Sequence, residues 1–184
     1  MGRKSFPREI DALDLLAHDH HSIERLFHDY ERLARRQGEH ERKGELVGQL
    51  CFRLSIHIQI EEDIFYPAAR AAIGSDATLA HALCDHGGAK ELIARLDEME
   101  PGDDDYDATV AVLNAYILAH MAEEQDVIFP KLRSAGLDTR ALGRRLAERQ
   151  KALHQDVTRI GLPLSPAGRR EPGVTDYHYV GDMR

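Results

Sequence analysis

Apolar residues recur at steps of three and four along most of the chain, and no stretch keeps the alternation of a half-buried strand. The pattern predicts an all-α protein of five helices. The first runs from about residue 7 to 36, with Leu13, Leu16, His20, Ile23, Phe27, Tyr30 and Ala34 on one face; Pro7 suits an early helical position. A polar segment at 37–44 reads as a loop. The second helix covers about 45–66 and carries Leu46, Leu50, Leu54, His57, Glu61 and Ile64, with Pro67 and Gly74 marking its end or a kink. The third starts near Ser75 or Asp76, both good N-caps, and carries Leu79, Leu83, His86, Ala89, Ile93 and Leu96. After a polar turn at 101–105, the fourth covers about 105–129 with Val110, Leu113, Ile117, His120, Glu124 and Val127. A shorter fifth, at about 138–159, aligns Leu142, Leu146, Leu153 and Val157. The remainder, 161–184, holds three prolines and four glycines, which predicts a flexible tail outside a packed domain of 1–160.

Six of the stripe residues are polar, and they repeat. His57, Glu61, Asp63 and Pro67 match His120, Glu124, Asp126 and Pro130 at one constant offset of 63. The aromatic and apolar residues before each proline match too, as do Arg70 and Arg133. Asp19-His20 corresponds to Asp85-His86 at an offset of 66. The chain thus reads as two copies of one helical hairpin, which pack as an up-down-up-down four-helix bundle with a pseudo-two-fold axis.

Residues four apart share a helix face, so His57 stands beside Glu61 and His120 beside Glu124. With His20 and His86 on the other two stripes, all six groups point into the core. Two buried carboxylates without partners cost several kcal/mol each. A cation removes that cost. Six nitrogen and oxygen donors suit two first-row transition metals better than one, with the glutamates placed to bridge. Imidazole accepts zinc, copper, iron or nickel, and carboxylate widens the choice. Carboxylate-bridged sites in bundles most often hold two irons or two manganese ions. Neither Cys51 nor Cys84 has a ligand spacing; both read as packed free thiols in a reducing, cytoplasmic setting.

Charge narrows the partners. The net charge of −8 disfavours nucleic acid, which needs a basic face. No run of 18 apolar residues exists to cross a membrane, and the first residues lack a signal core or a myristoylation pattern. Residues 131–160 hold 8 basic against 3 acidic side chains, read as a helix that packs its apolar face and solvates the rest.

Asp19-His20, His57-x-x-x-Glu61 with Phe65-Tyr66-Pro67, Asp85-His86, and His120-x-x-x-Glu124 with Phe129-Pro130 resemble the hemerythrin-like, or HHE cation-binding, family. The resemblance covers about residues 10–160. It implies a left-handed four-helix bundle around a non-haem di-iron centre, oxo- or hydroxo-bridged, with manganese or zinc as weaker candidates. It also implies binding of dioxygen, or reaction with hydrogen peroxide or nitric oxide. The ligands carried over are His20, His57, Glu61, His86, His120 and Glu124.

Two positions depart from the oxygen-carrying members. They resemble each other in a second histidine one turn from His86, where this chain has Ala82 and Lys90. They place an aspartate where this chain has Gln125. One iron is then expected to have fewer protein ligands and more open positions, which favours peroxide turnover or sensing over reversible carriage. A non-enzymatic oxygen or iron sensor, carrier or iron store is the alternative, with the basic fifth helix and the tail as its output surface. Glu24 and Tyr116 are further candidates to reach the centre. His81, about 140° round the helix from His86, is a poor substitute for the missing ligand. Glu62 and Glu123 read as solvated. Gly87-Gly88 suggests a close helix approach or an access path.

Overall fold

The computed structural model describes residues 10–36 and 38–160, with side chains to 156. Every element among them is helical. Helix α1 (Ala12–Ala34) starts on Asp11, whose carboxylate accepts from the Leu13 and Asp14 amides. Helix α2 (His40–Ile60) begins earlier than the polar composition of 37–44 suggests. Its first turn buries Lys43, which bonds Asp107 at 2.7 Å, and Gly44, where a methyl group would meet Pro101 Cγ at 2.9 Å. Tyr30 also donates to Asp107, at 2.5 Å, so one carboxylate ties three helices together at the far end of the bundle.

Helix α4 (Ala77–Glu98) is capped by Asp76, and α5 (Tyr106–Glu123) follows the turn at 101–105. Helix α1 packs along α2, and α4 along α5, which gives the paired hairpins of an all-α four-helix bundle. Helix α7 (Thr139–Ile160) lies across α1 and α2. It buries Leu142 and Leu146, worth about 1.5–3 kcal/mol each, and leaves much of its basic face to solvent. Its close approach depends on Gly143, where a Cβ would meet the Ile10 carbonyl oxygen at 2.1 Å.

The two prolines do not end their helices. Residues 61–65 and 124–128 each form a single π turn, continued by α3 (Tyr66–Ile73) and α6 (Phe129–Ser134). The Tyr66 amide donates to Glu61 O and the Phe129 amide to Glu124 O, five residues back. Pro67 and Pro130 come next; each lacks an N–H, and its ring would crowd the carbonyl four residues back in a regular α-helix. Gly74 at φ 76° ends α3.

The extra residue in each π turn shifts the buried face by one position. Ile64 and Val127, expected on the core stripes, are displaced by Phe65 and Ile128, both fully buried, while Val127 is 36% exposed. Cys51 is partly buried, but Cys84 is exposed, because α4 turns Ala82 and His86 inward and position 84 outward. The predicted tail at 161–184 and the start at Pro7 lie outside the described residues. Among the described residues no helix is long and apolar enough to cross a membrane.

Candidate metal centre

The polar layer lies between two apolar clusters. One contains Leu13, Leu16, Ile60, Phe65 and Ile128; the other contains Ile23, Phe27, Leu54, Leu113 and Ile117. His20, His57, Glu61, His86, His120 and Glu124 are each at most 3% exposed, and the structure brings all six together. They form two sets that share Glu61: His20, His57, Glu61 and Glu124, and Glu61, His86 and His120.

Distances divide the work between the carboxylate oxygens. Glu61 Oε1 is 3.3 Å from His57 Nε2 and 3.9 Å from His20 Nε2, whereas Oε2 is 3.2 Å from His86 Nε2. Glu61 therefore spans both sets, one oxygen to each. Glu124 Oε2 is 3.1 Å from His20 Nε2 and 3.9 Å from His120 Nε2. The Nε2 atoms of His86 and His120 face each other at 3.2 Å. Two imidazole nitrogens turned toward each other in one buried layer can share a proton or hold a cation.

The orientation of each ring has a cause behind it. His86 Nδ1 lies 3.2 Å from Glu62, which Lys90 holds with two bonds of 2.7 Å. His20 Nδ1 lies 3.2 Å from the Gln125 side-chain amide. That amide turned with its oxygen inward accepts the Nδ1–H and leaves Nε2 as the nitrogen that would take a metal once its proton is displaced. Asp19 and Asp85 stand behind His57 and His120 at 4.0 and 3.5 Å. The Gln150 amide on α7 donates to Asp19 at 2.7 Å, so α7 braces the site from outside.

Tyr66 completes the layer. Its hydroxyl donates to Glu124 Oε1 at 2.8 Å and lies 3.3 and 3.5 Å from the Nε2 atoms of His86 and His120. Sequence periodicity misses it because residue 66 is five past Glu61, about 140° round a regular α-helix. The π turn closes most of that angle. A signal was nonetheless present: the duplication pairs Tyr66 with Phe129, one hydroxyl at an otherwise apolar position.

Other candidates fall elsewhere. Glu24 is half-buried on the outside of α1 and pairs with His21 at 3.7 Å. Tyr116 is 37% exposed and rests on Gly88, where an added methyl would meet its hydroxyl at 2.7 Å, so this glycine serves that contact. Glu62 is not a solvated bystander, since it holds His86. Glu123 and His81 bond each other at 2.8 Å on the outer surface.

Electrostatics supply the test of whether the six residues suit a cation. His20 Nε2, both nitrogens of His57, both oxygens of Glu61 and Glu124 Oε2 are buried with no hydrogen-bond partner of good geometry. Such orphaned groups cost about 1–3 kcal/mol each, more when charged. Burial opposes a charge on His20, but the nearness of the Glu124 and Glu61 carboxylates outweighs that and pushes its pKa up to about 9. Burial pulls His57 down to about 3 and lifts Asp19 to about 6. Burial, reinforced by the charge of Glu61, raises Glu124. Without a metal, protons do the neutralising. Imidazole and carboxylate donors, inward lone pairs and unpaired oxygens all fit a pair of transition-metal ions.

Comparison with known proteins agrees. A crystal structure of an HHE cation binding domain-containing protein from Mycobacterium kansasii superposes with a TM-score of 0.69 at 22% identity, covering 82% of this chain and 91% of that one. A DNA nickase from Nostoc is 20% identical over 127 residues, 69% of this chain; the chain spans 35% of that relative's length. The hemerythrin HHE cation binding domain matches residues 11–132, which contain all six core donors. The chain therefore belongs to the hemerythrin HHE cation-binding family.

Proposed function

We propose that the chain is a non-haem di-iron protein that consumes hydrogen peroxide. His20, His57, Glu61 and Glu124 would hold one iron; Glu61, His86 and His120 would hold the second. The observation that carries this reading is the inequality of the two halves, four donors against three, meeting at the divided carboxylate of Glu61. When bound, the iron pair supplies Lewis acidity and electrons for a small oxidant.

The chain's own groups do the rest. The half with three donors would leave more coordination positions open, and Tyr66 faces it. Burial and the carboxylates nearby keep the phenol protonated. Its hydroxyl therefore acts as a donor that orients Glu124 and holds a proton beside the Nε2 atoms of His86 and His120. The apolar clusters on either side exclude water from the layer. Dioxygen and nitric oxide are smaller ligands for the same position.

Oxygen evolution from hydrogen peroxide by the iron-loaded protein tests the reading. Many turnovers per centre are expected. A stoichiometric, reversible spectral change with dioxygen and no turnover would establish a binding module, such as a sensor or carrier, in its place.

A further inference from the structure

A third group of metal-ligand type lies outside the buried layer. His81 and Asp85 on α4 and Glu123 at the end of α5 place their donor atoms within 4.8 Å of one another. His81 Nδ1 is 2.8 Å from Glu123 Oε2 and 3.6 Å from Asp85 Oδ2. With Asp126 they line a cleft of about 560 Å³. Among the described residues its walls carry three carboxylates and no lysine or arginine. The Tyr116 ring closes one side, seated on Gly88.

Asp85 belongs to both the cleft and the core. Its Oδ2 is 3.6 Å from His81 Nδ1 and 3.5 Å from His120 Nδ1. His120 is 3% exposed, and its Nδ1 has no hydrogen-bond partner. An unpaired buried nitrogen thus points at the same carboxylate that the surface cluster shares.

We propose that His81, Asp85 and Glu123 form a separate, exchangeable site for a divalent cation, which receives metal before it enters the buried centre. One imidazole nitrogen and two carboxylates suit Mn²⁺, Fe²⁺ or Zn²⁺. Exposure leaves several positions to water, so the ion exchanges readily. The anionic walls raise the local cation concentration at the mouth of the cleft. The receiving role rests on the reading of the six core residues as a metal centre; the surface site does not.

The test uses the full chain and two readouts. After loading with two irons per chain and removal of loosely held metal, wild type is titrated with Mn²⁺ and followed by electron paramagnetic resonance. One further Mn²⁺ per chain is expected, weakened about 10- to 100-fold in Glu123→Gln and in His81→Ala. Metal-free chain is then loaded with limiting Fe²⁺. The same variants are expected to reach the wild-type iron content several-fold more slowly. Equal Mn²⁺ binding by wild type and both variants would overturn the site, leaving His81 and Glu123 as a surface ion pair. Mn²⁺ binding with unchanged loading rates would overturn the receiving role. Mn²⁺ binding by a chain that takes up no core iron would leave the surface site standing and refute the buried centre instead.

Discussion

The Tyr66 hydroxyl donates to Glu124 across the bundle at 2.8 Å, and the duplicated position, Phe129, has no hydroxyl to do the same for Glu61. The repeat is therefore broken where an oxidant would bind. Tyr66→Phe restores the symmetry. It should keep the fold and the iron content, cost about 1–3 kcal/mol of stability in the metal-free chain, and lower peroxide turnover about tenfold or more. Thermal melts and oxygen evolution check the two effects separately. Unchanged turnover with unchanged iron would remove Tyr66 from the chemistry.

Metal uptake should depend on pH with a definite sign. In the metal-free chain His20 holds a proton up to about pH 9, and a metal must displace it. Apparent affinity therefore rises as pH increases toward 9, by about tenfold per pH unit for one displaced proton, and flattens above. The stabilisation that His20 gives the metal-free fold runs the other way. It is complete below the unfolded pKa of 6.5 and is lost as pH climbs through about 9. Chelator competition at several pH values measures the first effect; an affinity independent of pH would contradict it.

Iron should stabilise the fold markedly, because it replaces orphaned donors with ligand bonds. At free metal about 100-fold above the dissociation constant the gain is about 2.7 kcal/mol, or roughly 5–10 °C in Tm for a chain of this size. Scanning calorimetry with and without chelator reports it. Coincident melts would mean that the buried carboxylates have some other partner.

Two glycines should respond differently to alanine. At Gly143 the new methyl would strike the backbone of Ile10 and Ala12, so α7 must move away from α1. A loss of about 1–3 kcal/mol is expected, along with a looser Gln150–Asp19 bond. At Gly88 the obstacle is the exposed Tyr116 ring, which can swing aside at little cost. Equal destabilisation by the two substitutions would show that α7 is not held by that contact.

Much of this arrangement was legible in the sequence, and the limits have one physical source. A duplicated His-x-x-x-Glu and two lone stripe histidines obey α-helical periodicity, so His20, His57, Glu61, His86, His120 and Glu124 could be placed in one layer. The π turns break that periodicity immediately afterwards. Tyr66 and Phe65 then turn inward, Val127 turns out, and Glu62 reaches His86, none of which a 3.6-residue repeat predicts. Gln125 looked like a lost ligand, yet it supports His20 from behind. Lys43 was hidden by its polar neighbours, since only tertiary structure brings Asp107 to it.

The central claim is two irons joined through Glu61, and iron content per chain tests it most directly. Wild type reconstituted under anaerobic conditions should hold two irons per chain, and Glu61→Ala, which removes a donor from both halves, should retain neither tightly. One iron in wild type, or two in Glu61→Ala, would contradict the account.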